Sequence, residues 1–212
     1  MSLDTQSSRL IYVGDAYCGW CWGRAPQWQA LAAVWQQELP VEVISGGLFI
    51  GPRVQPMARL PYLASANLQI QQMTGAEFGA PYQALLSEGR FCMDSMQAAR
   101  GLISLKSQAP ERATELFHLL QAAFYQQGLD LGASATYQQL AQTAGLDPDA
   151  VLHTYATSEA QAVAEFQLAR QLGVEHYPSL VLWHQHQAHP LPISTASLEE
   201  LHLQIRALLT RT

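Results

Sequence analysis

Lysine is nearly absent from this chain of 212 residues: Lys106 stands beside ten arginines, and the formal net charge is −6. The sequence has no basic cluster, which argues against a nucleic-acid-binding surface. It also lacks an apolar run of about 18 residues, although 49% of the chain is hydrophobic. This combination predicts a globular protein without a membrane-spanning segment or a membrane partner.

A signal peptide is also missing from the N-terminal sequence. Residues 1–9 show no basic stretch followed by an apolar segment and a small-residue cleavage site. We therefore expect a cytoplasmic protein. Disulfides in that compartment are usually transient and catalytic, so any cysteine pair is expected to be reactive.

Only three cysteines are present, and two of them are three residues apart in Cys18-Gly19-Trp20-Cys21. The motif follows the apolar run at 10–13 and precedes a helical pattern, an order typical of a thioredoxin-like redox site. The first turn of a helix holds residues i and i+3 together, so the two sulfurs can close a disulfide. Cys18 would lie at the helix start, where free backbone N–H groups and the helix dipole favour a thiolate. Cys18 is therefore the expected nucleophile.

A structural zinc site is the main alternative for this pair, and it would need two further ligands. Cys92 is the one remaining cysteine, and we expect it to be a buried, inert hydrophobe more than a third redox partner. Three histidines are close in sequence but fall at a polar hairpin without an acid or a cysteine. We expect no metal site, whether from the cysteines or from His184, His186 and His189.

Periodicity divides the chain into two α/β ends and a helical middle. Strands are expected at 9–14, 41–45 and 180–183, with a hairpin turn at 184–189 leading to a short edge strand. One helix is expected over 18–37, kinked by Pro26, and Asp94 with Gln97 and Ser197 with Glu200 resemble capping boxes. The middle contains helices at 94–105, 111–127, 136–144, 148–155 and 158–172.

Tyr177 and Pro178 immediately precede the late apolar strand. In a thioredoxin-like arrangement, a cis-proline loop occupies this place and faces the cysteine motif. Such a loop presents the backbone of residue 177 to an extended substrate by strand-like pairing. An ordinary trans proline at the start of a strand is the alternative.

Three stretches of the sequence now indicate a family: residues 14–23 with Pro26, residues 94–100 and residues 173–182. With them the chain resembles the DsbA-like thiol-disulfide oxidoreductases, and within these the cytosolic branch similar to FrnE. The resemblance implies an α/β thioredoxin-like fold, a mixed sheet with flanking helices, interrupted by a large all-helical insertion. Residues 1–51 and 173–212 would form the discontinuous thioredoxin-like domain, and residues 52–172 the insertion.

The resemblance also assigns roles to individual residues. Cys18 would be the attacking thiol, Cys21 the resolving thiol and Pro178 the cis-proline. The dipeptide between the cysteines, Gly19-Trp20, differs from the Pro-His of the strongly oxidising periplasmic members, so we expect a less oxidising couple.

The expected reaction is dithiol–disulfide exchange with protein or peptide disulfides and dithiols, without a metal or organic cofactor and with glutathione as a candidate reductant. Trp20, Trp22, His176 and Tyr177 are expected around the bound substrate, although Trp22 could instead be a core residue. The direction of electron flow and the oligomeric state stay open.

Two other functions remain. Kappa-class glutathione transferases and 2-hydroxychromene-2-carboxylate isomerases resemble this architecture, but they normally have serine in place of Cys18 and lack the second thiol. A peptide-binding module with vestigial thiols is the non-enzymatic alternative.

Overall fold

The structure, a computed structural model, describes residues 8–210. Most of the N-terminal segment considered above for a signal peptide therefore lies outside the described residues. Among residues 8–210, no helix is both long enough and apolar enough to cross a bilayer.

Four strands form one mixed sheet in the order β2-β1-β3-β4. The strands are β1 (Arg9–Gly14), β2 (Val41–Ser45), β3 (Ser179–His184) and β4 (Gln187–Leu191). β1 runs parallel to β2 and antiparallel to β3, which pairs in turn with antiparallel β4. The two ends of the chain therefore meet at the β1–β3 pair, and the predicted mixed sheet is confirmed.

Ten helices are present in the described part of the chain. They are α1 (Gly19–Gly23), α2 (Ala25–Trp35), α3 (Tyr62–Thr74), α4 (Ala80–Glu88), α5 (Ser95–Lys106), α6 (Ala113–Tyr125), α7 (Ser134–Ala144), α8 (Pro148–Thr157), α9 (Glu159–Gln171) and α10 (Leu198–Leu209). α3 to α9 lie between β2 and β3, so the helical insertion is confirmed. Its exact boundaries as a domain stay a prediction.

Helices cover both faces of β1, which explains why its sequence is continuously apolar. Ile11 and Val13 pack with Leu168 and Leu172, at the C-terminal end of α9 and just beyond it. Leu10 and Tyr12 belong to the larger core on the other face, which also contains the buried residues of α2 and α10. A helix from the inserted segment therefore forms one layer of the thioredoxin-like sandwich.

The single helix expected over 18–37 is wrong, because two helices meet at Arg24. Pro26 lies in the first turn of α2, where the missing backbone N–H leaves no helical hydrogen bond unmade. The expected kinked helix is thus two separate helices, α1 and α2. The break between them frees the short cysteine-bearing α1 to take its own direction.

One of the two expected capping boxes forms. Ser197 and Glu200 exchange reciprocal hydrogen bonds at the start of α10. Asp94 accepts from the Met96 N–H at 2.9 Å, but Gln97 does not return a bond to it. The Gln97 side chain instead accepts from the Tyr155 hydroxyl at 2.9 Å, so this second box is a single cap.

The hairpin between β3 and β4 is a two-residue turn in which Gln185 and His186 have φ values of 49° and 62°. Two positive φ values suit the twist of the flanking strands. The rings of His184 and His189 lie 6.4 Å apart. Within residues 8–210, no three metal-ligating side chains form a group that could hold an ion.

Candidate functional site

Cys18 and Cys21 occupy the first turn of α1. Cys18 is the N-cap residue, and its backbone N–H donates to the Asp15 carbonyl at 3.0 Å. The Cys21 N–H in turn donates to the Cys18 sulfur at 3.4 Å. The motif therefore brings the two sulfurs together at the end of β1, and one helical N–H points at the first of them.

The two thiols differ in burial. Cys18 is 6% exposed, whereas Cys21 is completely buried. Burial raises the pKa of the Cys21 thiol well above its usual value, and the neighbouring Cys18 raises it further. Cys21 therefore keeps its proton in the free protein, and Cys18 is the less buried of the two cysteines.

The loop before β3 closes over the Cys18 sulfur. The Tyr177–Pro178 peptide bond is cis, and the Cys18 thiol donates to the Tyr177 carbonyl oxygen at 3.6 Å. Pro178 is buried, Tyr177 is half-buried and His176 is exposed. Cys18 thus lies between the first turn of α1 and this loop, although the two segments are far apart in sequence.

Gly46 is a site residue that no sequence motif indicates. The Tyr177 hydroxyl donates to its carbonyl oxygen at 2.6 Å, and the Tyr177 ring lies directly over its Cα. A Cβ at residue 46 would be 1.9 Å from ring carbon Cε1. The only sequence signal for this position is the Gly46-Gly47 pair directly after β2.

Asp15 is a second residue that the sequence analysis missed. Its buried carboxylate accepts from the Tyr17 N–H at 3.0 Å and from the Leu48 N–H at 2.8 Å. Burial raises the pKa of Asp15, and the hydrogen bonds it accepts partly oppose that rise. Asp15 therefore ties the loop before Cys18 to the loop after β2. Its position three residues before the motif is the signal that could have found it.

The aromatic side chains after Cys18 have different surroundings. Trp20 is half-buried beside the motif. Trp22 is 6% exposed, its indole N–H donates to the Glu77 carbonyl at 3.0 Å, and its ring stacks on His118 at 5.2 Å. Trp22 therefore joins α1 to α6, as the core-residue alternative expects, and its contact with substrate stays a prediction.

Gly19 lies against α3. A Cβ at this position would come 2.8 Å from the Ile70 side chain and 3.6 Å from the Asn67 amide oxygen. The glycine between the cysteines therefore allows α3 to cover this side of the motif.

Cys92 is exposed, so the expectation that it is a buried hydrophobe is wrong. It lies in an extended segment that forms a single bridge with Pro56. Successive side chains of an extended segment point to opposite sides. Here Met93 is the residue buried in the core, which turns the Cys92 thiol toward solvent.

Solved structures similar to this one are disulfide-exchange proteins by their descriptions. The structure of a candidate protein disulfide isomerase from Nitrosomonas europaea is 25% identical and covers 96% of this chain and 98% of its own, with a TM-score of 0.82. The cytosolic disulfide reductase DsbM from Pseudomonas aeruginosa is 22% identical, with coverage of 94% and 99% and a TM-score of 0.80. The structure of DsbM with GSH is 20% identical, with coverage of 96% and 100% and a TM-score of 0.77.

No match is found among curated protein sequences. A family model described as a DSBA-like thioredoxin domain matches residues 9–200. The FrnE-like branch and the cytoplasmic location stay predictions. Since the match extends over β1 to β4 and over all the helices between them, the chain belongs to the DSBA-like thioredoxin domain family.

Proposed function

We propose that this protein is a thiol-disulfide oxidoreductase in which Cys18 attacks and Cys21 resolves. One observation carries the proposal: the Cys18 sulfur lies 3.4 Å from the Cys21 N–H and 3.6 Å from the Tyr177 carbonyl, while Cys21 is buried behind it. A less buried thiol beside a completely buried one gives the pair an order of reaction.

Reduction of a substrate disulfide would take two exchange steps. The Cys18 thiolate attacks one substrate sulfur, forms a mixed disulfide and releases the other sulfur as a thiolate, which takes up a proton. Cys21 then gives up its proton and attacks the Cys18 sulfur, and the second substrate thiolate leaves and is protonated. Two electrons pass from the cysteine pair to the substrate. The reverse sequence oxidises a substrate dithiol, and neither direction uses a metal or organic cofactor.

Protein and peptide disulfides are the proposed substrates. The half-buried Tyr177 precedes β3, so an extended substrate segment can pair with the backbone there as an added strand. Trp20 and the exposed His176 would flank this segment.

We propose glutathione as the small thiol that exchanges with the pair. Binding of GSH by DsbM supports this at the level of the shared fold. In this chain, the exposed Arg53 donates to the Gly47 carbonyl at 3.0 Å. Gly47 adjoins Gly46, whose carbonyl accepts from the Tyr177 hydroxyl, so this guanidinium lies near the loop that faces Cys18. Burial and Asp15 raise the pKa of Tyr177, and the positive charge of Arg53 opposes that rise. Glutathione carries two carboxylates, which an arginine beside the site would attract.

The test of the main proposal compares the full-length protein with Cys18→Ser and Cys21→Ser in insulin reduction and in refolding of a reduced protein. Cys18→Ser should abolish both activities, and Cys21→Ser should accumulate a mixed disulfide visible by mass spectrometry. Equal activity in the Cys18→Ser variant and the parent would refute the proposal. Transferase activity toward chlorodinitrobenzene that survives Cys21→Ser would instead favour the glutathione transferase alternative.

The glutathione proposal has its own test. Arg53→Gln should raise the KM for glutathione several-fold and leave the KM for insulin unchanged. Arg206→Gln is the matched control, since Arg206 is an exposed arginine on α10 that pairs with Glu38. Equal KM values for glutathione in the parent and both variants would exclude a role for Arg53.

A further inference from the structure

Tyr12 carries a buried hydroxyl without a hydrogen-bond partner in the middle of β1. Its ring stacks on Trp28 at 4.6 Å and meets the edge of Phe117 at 5.8 Å. A Cβ at residue 14 would lie 2.7 Å from its Cε1 atom. Packing therefore fixes the ring on three sides, and phenylalanine would make the same contacts without leaving an oxygen unsatisfied.

A buried hydroxyl without a hydrogen bond lowers the stability of the folded protein. The groups around it therefore indicate what it could bind. The Cys21 thiol interacts with this hydroxyl, although the two groups do not form an ordinary hydrogen bond in this structure. Burial raises the pKa of Tyr12 well above its usual value, and negative charge on Cys21 or Cys18 raises it further. The hydroxyl therefore keeps its proton at working pH and can act as a donor, not as a base.

The Cys21 sulfur, in turn, needs a hydrogen-bond donor during the reaction. It must become a thiolate to attack the mixed disulfide, yet it is completely buried. The ionisable groups that act most on its thiol are Cys18 and Asp15, whose negative charge disfavours a thiolate, while a backbone hydrogen bond from Asp15 favours one. A neutral thiol accepts hydrogen bonds weakly, whereas a thiolate accepts them strongly.

We propose that Tyr12 is a further catalytic residue, whose hydroxyl donates a hydrogen bond to the Cys21 sulfur when that sulfur is negatively charged. The proposal rests on the proposed function. In the resolving step Cys21 loses its proton to solvent, Tyr12 holds the thiolate, the Cys21–Cys18 disulfide forms, and the substrate thiolate leaves and takes up a proton. Tyr12 is neither oxidised nor deprotonated. In the reverse direction, the same hydroxyl stabilises Cys21 as the leaving thiolate.

The experiment uses the full-length reduced protein with Cys92→Ser as background, since the exposed Cys92 thiol would otherwise react as well. Stopped-flow mixing with a symmetric aromatic disulfide releases one coloured thiolate when Cys18 attacks and a second when Cys21 resolves. Tyr12→Phe should leave the first phase unchanged and slow the second at least about tenfold, because a hydrogen bond to a charged group is lost. The pH at which the second phase becomes fast should also rise.

Tyr137→Phe is the matched control, since its buried hydroxyl donates to the Leu131 carbonyl at 2.6 Å. This variant should lose stability and keep both phases. An unchanged second phase in Tyr12→Phe would overturn the proposal. Loss of folding, or equal slowing of both phases, would also overturn it, since the hydroxyl would then have a structural partner. If the proposed function itself is wrong, the result is different, because the first phase will then also occur in the Cys18→Ser variant.

Discussion

Lys106 and Glu165 form an ion pair of 2.8 Å along the free edge of β2. The Lys106 ammonium also donates to the Val43 carbonyl at 2.6 Å, and the Glu165 carboxylate accepts from the Ser45 N–H at 2.8 Å. These backbone groups would otherwise be free to pair with another strand. The only lysine of the chain thus helps to cover a sheet edge that could promote aggregation.

Lys106→Met should therefore destabilise the protein by about 3–5 kcal/mol, because it leaves the carboxylate of Glu165 buried and unpaired. Urea unfolding at neutral pH measures this loss. Glu115→Gln is the control, since it breaks the Arg112–Glu115 pair from its exposed carboxylate side and should cost at most about 1 kcal/mol. Similar losses in the two variants would show that burial does not distinguish the pairs.

Gly46→Ala should displace Tyr177 and the loop that faces Cys18, because its Cβ would overlap the Tyr177 ring. We expect a loss of stability of about 1–3 kcal/mol and a larger loss of disulfide-exchange activity. Calorimetry and insulin reduction measure the two effects. In the Tyr177→Ala background the ring is gone, so the added methyl group should cost little. Additive effects of the two substitutions would contradict the contact.

Asp15 should make the protein more stable as the pH falls from neutral toward about 4. Its pKa is raised in the folded state, so the folded protein binds a proton more readily than the unfolded chain does. The resulting stabilisation is fully present below the unfolded pKa and is lost as pH rises through the folded pKa. Asp15→Asn should lose this component, which urea unfolding across that pH range would detect. Parallel pH profiles in the two proteins would contradict the prediction.

Gln121→Leu should stabilise the protein by about 1–3 kcal/mol, because an unsatisfied polar group is replaced by an apolar one. The Gln121 side chain is completely buried, and both its amide nitrogen and its amide oxygen lack a partner. Gln97→Leu is a contrasting variant, since the Gln97 oxygen accepts from Arg100 and Tyr155, and it should destabilise. Thermal unfolding compares the two. A lower melting temperature for Gln121→Leu would indicate that the amide has a hydrogen-bond partner after all.

The sequence allowed predictions where the signal is local. The apolar runs of β1 and β3, the spacing of Cys18 and Cys21 and the capping box at Ser197 each depend on residues a few positions apart. These features sufficed for the family and the mixed sheet.

Features that depend on distant parts of the chain could not be predicted. Trp20 and Trp22 look equivalent in the sequence, and only the packing of α1 against α6 buries the second one. Gly46 matters because Tyr177 lies on it, and the two residues are far apart in sequence. Cys92 is exposed because the alternating extended segment directs Met93 inward instead.

The packing of α9 has a consequence for how the molecule can be divided. Leu168 and Leu172 cover Ile11, Val13 and Val181 on one face of the sheet. Joining residue 51 directly to residue 173 would keep every strand and both cysteines, but it would leave that face open to water. We therefore expect the inserted helices and the redox site to unfold together, and a simple deletion of residues 52–172 not to give a stable minimal thioredoxin-like protein.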